Sequence, residues 1–335
     1  MTISTNYRKA FVFKSSKKFI ISVLSFFLIT TVVAADPLDI FKLNDNTLNL
    51  VQISDVHFDS KAKNGSKRMI EYSGDLLKDA ISQVNNSADV NAVVFSGDVV
   101  NHSNKNEFWK FLNTANSLKI PWYYAPGNHD VGILGGVSKL EIACFFNKNA
   151  HCLSKNSLYY SYSPNKNFLI LFLDGVIDNE ITANGYFPKQ ELDWLNNQLK
   201  NNPDKKVIIV QHFPVVEPFK SVTHRVRNAV EYLEIIDKYS NVVAILSGHY
   251  HAAKITQRKN VLHISTPSLV EYPHSFRTIK ITKLNNGTKF EIKLVETNLK
   301  DVQKISKSRS GTSTLKEGQA CDRNAVITIK NPRSH

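Results

Sequence analysis

Short runs of apolar residues alternate with longer amphipathic stretches from residue 48 onwards. The runs are rich in Val, Ile, Leu and aromatic residues and too short for buried helices, so they predict β-strands. The predicted strands cover residues 48–54, 90–96, 121–125, 168–174, 206–212, 242–247, 261–265, 276–282 and 290–296. Between some of them, the pattern predicts helices over residues 66–85, 105–117, 188–200 and 224–239. This alternation predicts a layered α/β domain.

The first 35 residues differ from the rest of the chain. A basic stretch precedes an uninterrupted apolar run, Phe19–Ala35, and small residues precede Asp36. This order is typical of a signal peptide and predicts an exported protein, either periplasmic or secreted. The alternative is an uncleaved segment that tethers the protein to a membrane through residues 19–35. In an exported protein, Cys144 and Cys152 are expected to form a local disulfide, with two free thiols as the alternative.

Charge is concentrated at the two ends of the chain. The net charge is +13, and residues 1–35 and 300–335 each carry five more basic than acidic residues. The central residues 36–299 carry only the remaining +3. The overall basicity therefore predicts no specific nucleic-acid partner. Because Ser, Lys, Arg, Gly and Thr dominate residues 300–335, this segment is expected to be a flexible basic tail with a short strand over 325–329. Residues 36–299 are then the catalytic domain.

Polar residues with metal-binding side chains follow directly after several of the predicted strands. In α/β sheets, loops at the carboxyl ends of the strands converge, so these side chains are expected to share one site. In an extended segment, residues i and i+2 point to the same side, so each D-x-H or H-x-H pair is expected to face that site. The potential ligands are Asp55, His57, Asp98, Asn128, His212, His249 and His251.

Seven oxygen and nitrogen donors without a thiolate suit two divalent first-row metal ions. One carboxylate can bridge two such ions, and two ions close together can stabilise both the attacking and the leaving oxygen of a phosphoryl displacement. Mn, Fe, Zn and Co are all compatible with these donors, so the sequence leaves the identity of the metals open.

Five short motifs occur in a fixed order: DVH at 55–57, GD at 97–98, GNHD at 127–130, His212, and GHYH at 248–251. Together they resemble the calcineurin-like metallophosphoesterases, and the resemblance extends from residue 48 to about residue 282. It implies a four-layer αββα sandwich in which helices flank two mixed sheets. It also implies that Asp98 bridges two ions, that Asp55, His57 and His251 complete the first site, and that Asn128, His212 and His249 complete the second.

The resemblance implies hydrolysis of a phosphoester by attack of a metal-bridging hydroxide. His129 would face the substrate, where it stabilises the phosphoryl oxygens or protonates the leaving oxygen. Residues Val99–Ser103 lack the Asp that protein phosphatases of this family carry after the bridging Asp, and Asn101 replaces the Tyr of purple acid phosphatases. The motifs are most similar to class III cyclic-nucleotide and sphingomyelinase-like phosphodiesterases. A small phosphodiester, such as a nucleotide, is therefore the favoured substrate. The alternatives are a broad phosphomonoesterase or nucleotide phosphatase, and a non-catalytic binding protein.

The segment 266–281 follows the last ligand in the chain and allows two interpretations. Tyr272, His274, Phe276 and Arg277 could form a wall of the substrate cleft, or the segment could be a structural turn. His224 is expected to be an ordinary surface residue, and His263 a core residue within a strand.

Overall fold

A computed structural model of the chain describes residues 45–63, 67–133, 135–149, 157–310 and 315–331. The strands are β1 (Thr47–Ile53), β2 (Ala92–Ser96), β3 (Trp122–Ala125), β4 (Tyr160–Asn165), β5 (Phe168–Phe172), β6 (Lys206–Val210), β7 (Val242–Ser247), β8 (Lys254–Arg258), β9 (Val261–Ser265), β10 (Ser275–Leu284), β11 (Gly287–Glu296) and β12 (Ala325–Lys330). The helices are α1 (Ser73–Asn85), α2 (Lys105–Ala115), α3 (Lys139–Asn149), α4 (Lys189–Asn201), α5 (Ala229–Ile236), α6 (Lys300–Ser310) and α7 (Ala320–Arg323), and a 3₁₀ turn (Ile70–Tyr72) precedes α1.

The strands form two mixed six-stranded sheets. The first has the order β12-β11-β10-β1-β2-β3, in which β1, β2 and β3 are parallel and β10, β11 and β12 are antiparallel to their neighbours. The second has the order β4-β5-β6-β7-β9-β8, with a parallel centre and antiparallel strands at both edges. Because β1 to β3 and β5 to β7 are parallel, their carboxyl ends can deliver loops to a common edge.

Alternation along the central strands buries both faces of each sheet. Leu50 and Val94 of the first sheet and Ile170 and Ile208 of the second belong to one apolar cluster between the sheets. Residues of the opposite faces pack against the helices; the Phe95 ring, for example, lies 5.2 Å from that of Phe111 in α2. Helix, sheet, sheet and helix thus form four layers, which confirms the expected αββα sandwich.

Each strand expected from an apolar run is present within three residues of its predicted ends. Two edge strands, β4 and β8, were not predicted, because they are half-buried and lack a continuous apolar run. The helices expected over 66–85 and 224–239 are shorter in the structure, and α3 was not predicted at all.

The expectation of a flexible tail after residue 299 is wrong for most of that segment. Residues 300–310 form α6, and the strand expected over 325–329 is present as β12, which adds to the edge of the first sheet beside β11. The segment orders because a few of its residues are buried, among them Val302 and Ile329. Such sparse apolar positions do not change the composition of the segment enough to indicate that it is folded. The folded domain therefore continues through residue 331.

Arg277 shows why the C-terminal segment belongs to the fold. Its guanidinium group is fully buried and donates hydrogen bonds to the backbone oxygens of Ser265, at 3.1 Å, and Asp322, at 2.8 Å. His274 and Phe276 are also buried. For these three residues the structural interpretation of the segment 266–281 is correct, and Arg277 does not grip a substrate phosphate. His263 is buried within β9, as expected of a core residue.

Residues 1–35 lie outside the described residues, so the signal peptide stays a prediction. Within the described ranges, none of the helices combines the length and apolar character needed to cross a membrane. Cys144 is exposed, and its expected disulfide partner, Cys152, lies outside the described residues, so the disulfide stays a prediction.

Candidate metal centre

The loops that follow β1, β2, β3, β6 and β7 converge at one edge of the two sheets. Four side chains, Asp55, His57, Asp98 and His251, bring potential ligand atoms within 4.8 Å of one another. Nε2 of His251 lies 3.2 Å from Oδ1 of Asp55, and Nε2 of His57 lies 3.8 Å from Oδ2 of Asp98. All four residues are buried. The sequence therefore placed these ligands together correctly, although residues 55 and 251 are far apart in the chain.

A second cluster shares Asp98 with the first. Asp98, His212 and His249 also place potential ligand atoms within 4.8 Å of one another. Nε2 of His212 lies 3.2 Å from Oδ2 of Asp98 and 3.0 Å from Nδ1 of His249. Asp98 is the single carboxylate common to both groups, which is the arrangement that a bridging ligand requires.

The donor atoms in this centre fit bound cations. Nδ1 of His212 lies 2.9 Å from the backbone oxygen of Ser96 and donates its proton there, so that Nε2 of the neutral ring presents a lone pair. This Nε2 lies 3.0 Å from Nδ1 of His249, and Oδ1 of Asn128 is buried without a hydrogen-bond partner among the described residues. A buried acceptor without a partner is costly unless a cation lies beside it. Nitrogen and oxygen donors of this kind suit divalent first-row ions.

Burial and neighbouring charges set the protonation of the cluster. Burial, together with the neighbouring His129 and His251, holds the pKa of His57 well below its usual value, and burial likewise lowers the pKa of His249. Burial acts to raise the pKa of Asp98, but the imidazoles of His212 and His129 outweigh it and hold that pKa well below its usual range. Neutral imidazoles beside an ionised carboxylate are the forms that bind metal ions.

His212 differs from His57 and His249. Burial alone would lower its pKa, but the carboxylates of Asp98 and Asp55 outweigh burial and raise the pKa of His212 to about 9. In the absence of a bound cation, the proton on His212 therefore takes the place of the positive charge that the two carboxylates require.

The backbone at the ligands is left-handed, not extended as expected. Positive φ angles occur at five of the seven predicted ligands: Asp55 (51°), His57 (43°), Asp98 (50°), His249 (70°) and His251 (53°). Each such residue costs about 1–2 kcal/mol relative to ordinary backbone. Hydrogen bonds between the loops, from Asp55 N to Gly97 O at 3.1 Å and from His57 N to Asp98 O at 2.9 Å, hold this geometry. Both residues of each D-x-H or H-x-H pair still reach the site, but by a sharp turn.

Two glycines in the motifs allow the loops to approach the ligands. A Cβ atom on Gly97 would lie 2.5 Å from Nδ1 of His212, and the φ angle of Gly97 is +89°. A Cβ atom on Gly127 would lie 2.2 Å from Oδ1 of Asp98. The glycines of the GD and GNHD motifs are therefore needed to make room for the ligands themselves.

His129 lies at the mouth of the centre and is partly exposed. Its backbone N–H donates to Oδ1 of Asp98 at 2.8 Å, and its ring meets that of His57 edge-on at 4.7 Å. Nδ1 of His129 lies 2.7 Å from the backbone oxygen of Asn101 and donates to it, which leaves Nε2 for another partner. A backbone carbonyl, and not a carboxylate, thus orients His129.

Asp130 shapes the centre, although the sequence did not single it out. Asp130 is fully buried and accepts hydrogen bonds from the backbone of Gly127 and Val100 and from the hydroxyl group of Tyr124, which fixes the loop that carries Asn128 and His129. Burial and the nearby Asp98 raise the pKa of Asp130 to about 7. Its place as the last residue of the GNHD motif is the signal that could have identified it.

His224 was expected to be an ordinary surface residue, and this is wrong. Its ring lies 5.1 Å from that of His249, and its Nδ1 lies 2.8 Å from the hydroxyl oxygen of Thr223. No local pattern in the sequence marks this residue, because the loop between β6 and α5 brings it to the centre.

The sequence profile of the calcineurin-like phosphoesterases matches residues 48–253, which contain all seven predicted ligands. The chain belongs to the calcineurin-like phosphoesterase family. Together with the two Asp/His clusters, this membership makes the chain a dinuclear-metal phosphoesterase, that is, a metal-dependent hydrolase.

Relatives and a solved structure agree with this membership. This calcineurin-like phosphoesterase is 26% identical over 231 residues to a probable glycerophosphodiester phosphodiesterase of Arcobacter nitrofigilis, covering 65% of the chain and 77% of the relative. It is 26% identical over 234 residues to a 3′,5′-cyclic adenosine monophosphate phosphodiesterase of Haemophilus influenzae, covering 68% and 79%. A crystal structure of a dimetal phosphatase from Danio rerio has the same fold, with a TM-score of 0.60 at 18% identity, covering 74% of the chain and 97% of that structure.

Proposed function

We propose that this phosphoesterase hydrolyses a small phosphodiester, either a cyclic nucleotide or a glycerophosphodiester. The observation that carries the proposal is the carboxylate of Asp98, which belongs to both ligand clusters. The two relatives described above are named for phosphodiester substrates of these two kinds. Both substrates present one singly charged phosphate between two ester oxygens, so the same centre can serve either.

The ligand roles follow from the two clusters. Asp55, His57 and His251 would hold the first ion, with Asp98 shared. His212 and His249 would hold the second ion together with Asn128, whose buried Oδ1 is otherwise without a partner among the described residues. Two divalent ions supply charge neutralisation for the phosphoryl oxygens and activation of a water molecule.

His129 is the residue of this chain that would act on the substrate directly. Because Nδ1 donates to the backbone oxygen of Asn101, Nε2 carries a second proton in the imidazolium form. In that form it can give this proton to the leaving ester oxygen and becomes the neutral imidazole. In the same position it can donate a hydrogen bond to a phosphoryl oxygen as negative charge redistributes. The hydrogen bond from the backbone N–H of His129 to Oδ1 of Asp98 fixes the distance between this proton donor and the proposed metal ligands.

Parallel assays of a diester and a monoester test the proposed substrate class. Bis-p-nitrophenyl phosphate and p-nitrophenyl phosphate are compared in the presence of Mn²⁺, followed by 3′,5′-cyclic AMP and a glycerophosphodiester. We expect kcat/KM for the diester to exceed that for the monoester. Equal or better turnover of the monoester would instead favour a broad phosphomonoesterase or nucleotide phosphatase.

We further propose that the protein is exported under the direction of residues 1–35. The support is the order of a basic stretch, the apolar run Phe19–Ala35 and small residues before Asp36. Fractionation of cells that express the full chain, with sequencing of the N-terminus of the recovered protein, tests this. A periplasmic or secreted chain that begins near Asp36 is expected. Recovery in the membrane fraction with residues 19–35 intact indicates a tether, and recovery in the cytoplasm contradicts export.

A further inference from the structure

Glu271 lies behind the metal centre, in the loop between β9 and β10. Its carboxylate is buried, and its Oε2 atom lies 3.2 Å from Nδ1 of His251. On the other side of the same ring, Nε2 of His251 lies 3.2 Å from Oδ1 of Asp55. The ring of His251 is therefore held between a carboxylate that is a potential metal ligand and one that is not.

This arrangement orients the ring of His251. A carboxylate is only an acceptor, so both ring nitrogens face acceptors, Nδ1 the carboxylate of Glu271 and Nε2 that of Asp55. If a cation takes the place of the proton on Nε2, the proton on Nδ1 still faces Glu271. A carboxylate behind a ligating imidazole also makes the imidazole more basic and orients it.

His57 and His212 also bring their Nε2 atoms into the clusters, but the surroundings of their Nδ1 atoms differ from those of His251. Nδ1 of His212 donates to a neutral backbone oxygen, that of Ser96. Neither Nδ1 of His57 nor Nδ1 of His251 meets the geometry of a hydrogen bond in the described part of the chain. His251 is distinguished from the other two by the carboxylate of Glu271, which lies 3.2 Å from its Nδ1.

Two cations from distant parts of the chain hold Glu271. Nε of Arg68 lies 3.2 Å from Oε1 of Glu271, and the ammonium group of Lys316 contacts Oε2. Lys316 comes from the C-terminal segment, and its backbone oxygen accepts a hydrogen bond from Ala253 N at 2.9 Å, two residues after His251. The segment therefore touches both the carboxylate behind His251 and the backbone beside it.

We propose that Glu271 is a positioning residue that orients His251 for the first metal ion, and that Lys316 anchors the C-terminal segment on Glu271. This inference rests on the proposed role of His251 as a ligand. If Lys316 has this role, residues 315–318 do more than pack against the domain, because they help to keep His251 in place as a ligand of the metal centre.

The test is the affinity of metal-stripped, full-length protein for Zn²⁺, measured in competition with a chromophoric chelator. Glu271→Gln keeps the volume of the side chain and one acceptor oxygen but removes the charge. We expect one of the two Zn²⁺ equivalents to bind about 10–100-fold more weakly, while the other is unchanged. Hydrogen exchange of a peptide that covers residues 315–323 is expected to become faster in the same variant.

Glu191→Gln is the matched control, because Glu191 is also buried but its carboxylate accepts a hydrogen bond from Asp174 N in another part of the fold. Glu191→Gln should leave the affinity for both Zn²⁺ equivalents and the hydrogen exchange of residues 315–323 the same as in the unaltered protein. If Glu271→Gln does not fold, Glu271→Asp replaces it; the charge stays but the carboxylate is drawn back, and an intermediate loss of affinity is expected.

Unaltered Zn²⁺ affinity in the Glu271 variants would overturn the positioning role, and unaltered exchange would overturn the anchoring role of Lys316. Failure of the unaltered protein to bind two ions would instead contradict the proposed function, so the two failures are distinguishable.

Discussion

The Nε2 atoms of His57 and His251 lie 3.2 Å apart, although 194 positions separate the two residues in the chain. Nε2 of His251 also lies 3.2 Å from Oδ1 of Asp55, so the three side chains converge on one point. Burial keeps the pKa of His57 well below its usual value, so the ring of His57 is neutral at pH 7. The fold thus brings buried donors together in a way that a bound cation would stabilise.

Addition of Mn²⁺ is therefore expected to stabilise the protein against unfolding. Free Mn²⁺ at about 100 times its Kd should add about 2.7 kcal/mol to the free energy of unfolding. The measurement is the Tm of metal-stripped protein with and without Mn²⁺. Asp98→Asn is the control and should show a smaller rise, and an identical Tm for the unaltered protein in both conditions would argue against bound cations.

His129→Asn is expected to lower kcat by about 10²-fold or more, because it removes the proposed proton donor. Metal content should not change, since the backbone N–H of residue 129 and not its side chain contacts Asp98. The measurement compares bis-p-nitrophenyl phosphate with an alkyl diester. A larger loss for the alkyl diester identifies proton donation, because an alkoxide is the poorer leaving group, whereas an equal loss identifies stabilisation of the phosphoryl oxygens. An unchanged kcat for both would exclude His129 from the reaction.

Ile329→Ala tests whether the C-terminal segment belongs to the folded domain. Ile329 is only 5% exposed and contributes to the apolar cluster between the sheets. Truncating it should lower the free energy of unfolding by about 2 kcal/mol. Val326→Ala in the same strand is the matched control, because Val326 is 70% exposed. Equal, negligible effects in urea unfolding would support the flexible tail expected from composition.

Glu191 is expected to make stability depend on pH. Burial and the nearby Asp174 raise the pKa of Glu191 to about 8, well above its ordinary value of 4.5. A carboxyl group with a raised pKa in the folded state stabilises fully below its ordinary pKa, and this contribution is lost as the pH rises through about 8. The free energy of unfolding should therefore fall between pH 5 and pH 8 relative to Glu191→Gln, by at most about 1.4 kcal/mol per pH unit. Parallel curves for the two proteins would show that Glu191 ionises normally.

The sequence predicted the fold, and the convergence of the Asp and His side chains, because both depend on local patterns. Each predicted ligand follows closely after an apolar run that forms a buried strand, as Asp55 follows β1 and Asp98 follows β2. The predicted extended conformation of the backbone at the motifs was wrong, because motif spacing alone cannot distinguish an extended pair from the left-handed turns at Asp55 and His57.

The remaining features depend on contacts between distant parts of the chain. Glu271 contacts His251, Lys316 and Arg68, which come from distant parts of the chain. Nothing in the sequence around Glu271 indicates these contacts. Arg277 carries a charge that suited a phosphate ligand, but its partners are backbone oxygens, which any sequence provides.

The most direct test of the dinuclear centre is the number of metal ions bound per chain, measured by elemental analysis beside the rate of diester hydrolysis, in the unaltered protein and in Asp98→Asn. Two ions per chain are expected in the unaltered protein. Fewer ions, together with at least about a 100-fold loss of hydrolysis, are expected in the variant. Full hydrolysis by Asp98→Asn, or by an unaltered chain that binds fewer than two ions, would contradict the account.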